Sequence, residues 1–265
     1  MSPTAALPAD AEPWSTWRLN GLVGTTRRRR AGAANVALLH GALGDSARLA
    51  HLAPLLDDCN LAFLDLRGHG RSHRPATGYA IDELARETTA PLRHAFDAQP
   101  FVLIAESFSG LIGLALGGQL PELAHVFLID TPFDTTRMQA SHVALRRAHA
   151  RTAAEHRPAL EALCREFFGL DVETGRVTAR RYHAYLAERA TPSTVITGSR
   201  KASMEAAASG EPAAYFDAAD LAAASPDADR PPLTVVEIEG GGHRLLKTHP
   251  QAVIQAVRRV LADSG

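Results

Sequence analysis

The sequence predicts an α/β fold: a mostly parallel sheet with helices on both faces. Three observations carry this. Six short apolar runs, each bounded by turn signals, have the length and continuity of strands covered on both faces. Helical patterns alternate with them, the rhythm of a parallel sheet with crossover helices. The 265 residues make one large domain or two small ones, enough chain for a domain of ~250 residues to hide over two thirds of its unfolded surface.

Taken in order, Trp17 to Val23 and Val36 to Leu39 are apolar, and the run Arg27-Arg28-Arg29-Arg30 between them reads as a solvated hairpin turn. Val36–Leu39 is the first of the six strand-like runs and is followed by a helical pattern over Ala47 to Leu56. Then come Leu61–Leu64, a helix over Ile81 to Phe96, Phe101–Ile104, a helix over Gly110 to Leu120, and His125–Ile129. The stretch from about Asp134 to Ala190 breaks the rhythm. It has helical periodicity over 144–154, 158–168 and 178–188 and no strand-like run, so it reads as a helical cap laid over the sheet. Thr194–Thr197 and Leu233–Ile238 return to the sheet. Between them Ser203 to Pro232 reads as one helix and a loop, and a helix over Pro250 to Leu261 ends the pattern. The expected organisation is a core of residues 1–133 and 191–265 with a cap at 134–190.

Composition removes several classes of function. With 28 basic and 29 acidic residues the formal net charge is -1, which argues against a strongly basic nucleic-acid binder and an acidic disordered tail. Cys59 and Cys164 are too few for a disulfide framework and read as thiols of a reducing compartment. No segment approaches the ~20 apolar residues of a membrane helix. Met1 to Asn20 holds Asp10 and Glu12 and no apolar stretch, so it does not read as a signal peptide, and a cytoplasmic protein is expected. No cluster has metal-ligand spacing and no glycine-rich phosphate loop is present, so neither metal nor cofactor is expected.

In open α/β sheets the working site lies at the carboxyl ends of the strands. Reactive residues follow four of the apolar runs directly: His40-Gly41-Ala42-Leu43-Gly44, Asp65 to Ser72, Ala105-Glu106-Ser107-Phe108-Ser109-Gly110, and Gly240-Gly241-Gly242-His243. A serine on a sharp strand-to-helix turn needs small residues two positions before and after it. Ala105 and Ser109 meet that size rule around Ser107, although they replace the glycines of Gly-x-Ser-x-Gly.

These segments, in this order and over most of the chain, resemble the α/β-hydrolases. The resemblance implies that Ser107 is the nucleophile and His243 the general base. A serine hydroxyl needs such a base at neutral pH, and serine before histidine is the chain order of that fold. It also implies an oxyanion hole from the backbone N–H groups of Ala42 and Phe108. His40, Gly41, Leu43 and Phe133 are expected to contact substrate, and Met138, Phe167, Phe168 and Leu170 are available to line an apolar acyl pocket. Glu106 reads as shaping the elbow, His69 and Arg71 as holding loops beside the site, and Asp65 as bonding the adjacent turn.

The triad acid departs from the family's usual pattern. Its customary place, after the strand before the last, reads Gly198-Ser199-Arg200-Lys201-Ala202-Ser203 and holds no carboxylate. One of the chain's two lysines, Lys201, stands where an acid is expected. The second location known in the family, after the strand that follows the elbow helix, offers Asp130, the preferred acid, and Asp134. Glu205, Asp217, Asp220 or no acid at all are the remaining options. The expected function is a serine hydrolase that cleaves a small carboxylic ester or thioester through an acyl-enzyme. Acyl transfer, C–C hydrolysis or lysis on the same residues, or a non-catalytic binding protein of the same fold, are the alternatives.

Overall fold

The structure, a computed structural model, describes residues 14–29, 32–199, 212–223 and 229–263. Eight strands form one sheet in the order β1-β2-β4-β3-β5-β6-β7-β8. They are β1 (Ser15–Leu19), β2 (Leu22–Arg27), β3 (Asn35–Leu39), β4 (Asn60–Asp65), β5 (Phe101–Glu106), β6 (Leu123–Ile129), β7 (Ser193–Gly198) and β8 (Leu233–Ile238). Only β1·β2 and β2·β4 pair antiparallel; every pair from β4 to β8 is parallel. All six predicted runs are strands.

Their continuous apolar character follows from the period of two. Ala37, Leu39, Leu103, Ala105, Val126 and Leu128 join one apolar cluster, with α1 (Ile81–Ala95) and α2 (Ser109–Gly117). Val36, Leu38, Val102, Ile104, Phe127 and Ile129 join the other, against a 3-10 helix over Ser46–Leu56 and the last helix. Between β6 and β7 lie α3 (Gln139–Arg151), α4 (Arg157–Glu166) and α5 (His183–Ala187), and their Leu145, Leu163 and Leu186 join the α2-side cluster. Among the described residues after β7 lie α6 (Ala218–Ala223), α7 (Leu245–Thr248) and α8 (Pro250–Asp263).

Three sequence expectations are corrected. The hairpin turn is Asn20-Gly21, where both residues have positive φ (50° and 83°), the backbone of a two-residue turn matched to strand twist. The arginine run instead ends β2. Arg27 is buried, its Nη2 donating to Leu56 O at 2.8 Å, so this arginine is a packing residue and not a solvated one. The helix over 47–56 is a 3-10 helix, Ser46–Leu56, with Pro54 inside it. The helix over 178–188 is one short turn of α5, because Leu170 bridges Val177 and Asp134 bridges Arg181 in extended geometry. Of Ser203 to Pro232 the structure describes α6 within 212–223. Arg30, Lys201 and Glu205 lie outside the described residues.

Candidate active site

Ser107 follows β5 directly and sits at φ 56°, a left-handed conformation that costs a non-glycine residue about 1–3 kcal/mol. Neighbouring strands hold that turn: the Ser107 amide donates to Ile129 O at 2.8 Å. Small neighbours are needed because α2 starts flush against the sheet. Ser109 is fully buried, and its Oγ donates to Glu106 O at 2.9 Å and Leu39 O at 3.2 Å, so serine fills the glycine position with its hydroxyl satisfied. Next to it, a Cβ on Gly110 would lie 1.8 Å from Thr131 Oγ1.

One strand over, β6 ends at Asp130, which also has positive φ, 44°. Its carboxylate is fully buried. Oδ2 lies 2.7 Å from His243 Nδ1, and that oxygen also accepts from Tyr215 N at 2.9 Å. Oδ1 accepts from Thr197 Oγ1 at 2.8 Å and from Phe216 N at 3.3 Å. A buried carboxylate is tolerable only with such donors. His243 leaves β8 through the glycine run, where the backbone passes tightly over β7: a Cβ on Gly198 would lie 2.1 Å from Gly241 O. The Tyr215 ring packs on the His243 imidazole with centroids 4.3 Å apart.

Asp134 is elsewhere. It caps the next turn, accepting from Thr136 N at 2.9 Å, with Arg181 Nε 3.6 Å from its other oxygen. Asp220, fully buried, accepts from Arg137 Nη2 at 2.5 Å and contacts His183 Nε2 at 2.8 Å, while Asp217 also pairs with Arg137. Neither touches His243. Those ion pairs tie α6, and through it the Tyr215–Phe216 amides, to the elements between β6 and β7.

A cavity of about 660 Å³ opens over this constellation, lined by both Ser107 and His243. Its floor includes the buried Leu49, Met138, Leu145 and Phe168, and Gly41, Ala42 and Leu43 form one wall. Two expected substrate contacts are corrected. Phe133 is fully buried in the core, its ring near Phe216 and His183, and does not line the cavity. His40 is also fully buried, behind the wall. Its Nδ1 lies 2.8 Å from Gly41 O and its Nε2 accepts from Leu66 N at 3.1 Å, so the ring holds the loop that carries Ala42. Burial pushes the His40 imidazole well below the usual histidine range, which keeps it neutral in that role. Phe167 and Leu170 are core, while Met138 and Phe168 do face the cavity.

The amides of Ala42 and Phe108 have no hydrogen-bond partner among the described residues. Unpaired backbone donors at a half-buried loop and a helix N-terminus suit an anionic oxygen. Glu106 Oε2 accepts from Gly41 N at 3.0 Å and pins the first of these loops to the elbow. His69 contacts Ala42 O at 2.7 Å, and Asp65 accepts from Ser46 N and Arg71 N, the loop-holding roles expected of them.

The model of the alpha/beta hydrolase family matches residues 36–256. The chain belongs to the alpha/beta hydrolase family. Solved structures share the fold at low identity. The haloalkane dehalogenase DbeA from Bradyrhizobium elkani is 20% identical, with TM-score 0.67 over 95% of this chain and 98% of its own. The N-acyl homoserine lactonase AidH, complexed with N-butanoyl homoserine, is 18% identical (TM-score 0.63, 95% and 97%). The esterase RhEst1 from a Rhodococcus species is 18% identical (TM-score 0.63, 94% and 98%). No curated protein matches the chain in sequence. Membership of the alpha/beta hydrolase family supports hydrolase chemistry, while the bond cleaved differs among proteins of this fold. Among the described residues no helix is long and apolar enough to cross a membrane, and no group of three or more His, Cys, Asp or Glu could hold a metal ion.

Sequence reasoning missed Thr197, Tyr215 and Phe216, the donors to Asp130. Thr197 was open to discovery from the pairing of the two strand ends; the other two come from a loop with no motif.

Proposed function

We propose that this alpha/beta hydrolase is a serine hydrolase that cleaves a small carboxylic ester or thioester. The observation that carries the reading is the 2.7 Å contact from His243 Nδ1 to the buried Asp130, beside a strained Ser107 that lines the same cavity. An Asp on Nδ1 fixes the tautomer that leaves Nε2 free as a base and stabilises the imidazolium once formed. His243 Nε2 takes the Ser107 proton as Oγ attacks the carbonyl carbon. The tetrahedral oxygen then accepts from the Ala42 and Phe108 amides, each worth about 3–4 kcal/mol in the transition state. His243 returns the proton to the leaving oxygen or sulfur as its bond to carbon breaks. Water, deprotonated by the same ring, releases the acid and restores Ser107.

The cavity floor of Leu49, Met138, Leu145 and Phe168 fits a short apolar acyl chain. The test is hydrolysis of p-nitrophenyl butyrate by the purified chain. The wild type is expected to turn the ester over, and Ser107→Ala and His243→Ala to lose turnover. Persistence of hydrolysis in Ser107→Ala contradicts the reading.

A further inference from the structure

The cavity is chemically lopsided. Its floor is apolar, yet one side of its rim carries Arg48, Arg244 and Lys247, all exposed. None of the three side chains has a carboxylate or hydrogen-bond partner among the described residues. They come from two elements far apart in sequence, the 3-10 helix and the turn that begins α7. The His51 ring joins these, with Nδ1 2.9 Å from Arg48 O and Nε2 2.7 Å from Leu246 O. The part of the lining that comes from α3 is small and uncharged: Ala140, Ser141 and Ala144. Glu106 is the one carboxylate among the described lining residues, and one of its oxygens is taken by Gly41 N. Three cations against one carboxylate leave a net positive potential toward whatever enters.

We infer that the substrate carries an anionic group, a phosphate or a carboxylate, on its leaving half, and that Arg48, Arg244 and Lys247 bind it. This rests on the serine hydrolase reading above. The assignment to the leaving half follows from the position of His243. The base that returns the proton lies against the departing oxygen or sulfur, and Arg244 and Lys247 follow His243 within one turn. An anion on the acyl half would instead be driven onto Met138, Leu145 and Phe168, where an unpaired charge is costly. Forked guanidinium groups from Arg48 and Arg244 match the oxygens of phosphate or carboxylate, and Lys247 adds a point charge. The substrate is thus an amphiphile, with a short apolar acyl chain inside and an anionic alcohol or thiol leaving through the rim.

Three butyryl thioesters with matched sulfur leaving groups test this: N-acetylcysteamine (neutral), thioglycolate (carboxylate) and coenzyme A (phosphate). At low salt the wild type is expected to favour one or both anionic thioesters over the neutral one by at least about tenfold in kcat/KM. The gaining arm identifies the group. Arg244→Ala/Lys247→Ala should lower that ratio about tenfold, the worth of two exposed charge contacts. Arg48→Ala, on the other element, should lower it less, and raised salt should lower it in the wild type by screening. A wild-type ratio near one, or a ratio that neither the variants nor salt moves, overturns the inference. If a fluorophosphonate still labels Ser107 in that case, the serine hydrolase reading survives; if it does not, that reading fails as well.

Discussion

Two neighbouring strand ends carry this site, and they are held in opposite ways. At the end of β5, Ser107 is shaped mainly by residues next to it in sequence, Ala105 and Ser109 for size and α2 beginning at once, with a single backbone bond of its own across to Ile129 O on β6. At the end of β6, Asp130 is fixed by Thr197, Tyr215, Phe216 and His243, the nearest of them 67 residues away. Both residues take positive φ, 56° and 44°, so both turns are strained in the same sense. One strained turn is specified locally and the other by the tertiary fold.

That difference separates what was legible from what was not. The serine elbow, the glycine run before His243 and all six predicted strands follow from local pattern. Asp130 was visible only as a carboxylate at a strand end, in competition with Asp134. The two part because Asp134 uses one oxygen to cap Thr136 and turns the other toward Arg181, while Asp130 meets donors from three later segments. His40 and Phe133 misled for the same reason: a position near a motif does not say which side of the wall a side chain faces. The Asn20-Gly21 turn was a local signal, but the arginine run drew the turn to the wrong place.

Breaking each strand end in turn sharpens the comparison. The largest effect belongs to the elbow: Ser107→Ala is expected to lower kcat for p-nitrophenyl butyrate by about a million-fold, the scale of losing a triad nucleophile. Asp130→Asn comes next. It should lower kcat about ten-thousand-fold by favouring the wrong histidine tautomer, with KM little changed. Thr197→Val removes one of several donors to Asp130. A loss of about tenfold in kcat and about 1–2 kcal/mol of stability by urea unfolding is expected.

Weaker still is the outer tether. Asp220→Ala leaves Arg137 paired with Asp217 alone, takes the carboxylate from His183, and loosens the segment that carries the Tyr215 amide. Urea unfolding is expected to show a loss of about 2–3 kcal/mol, with kcat reduced only a few-fold. If Asp220→Ala matches Asp130→Asn in kcat, the tether is part of the chemistry and the ordering is wrong.

The smallest effect concerns pH. His40 has its folded pKa pushed below the unfolded value of about 6.5, so the unfolded chain binds the proton first. Its contribution to stability is present above about pH 6.5 and is lost as pH falls below it. His40→Gln should flatten the fall of Tm between pH 7 and pH 5, measured by thermal scanning. An unchanged slope places the acid sensitivity in other groups.

The most direct measurement is the rate at which a fluorophosphonate labels the protein, with the modified residue mapped by mass spectrometry. A single adduct on Ser107 is expected in the wild type, with labelling at least about a thousand-fold slower in Asp130→Asn and an ordinary rate in Asp134→Asn. An adduct on another residue, or an Asp130→Asn protein that labels as fast as the wild type, contradicts the roles given to Ser107 and Asp130.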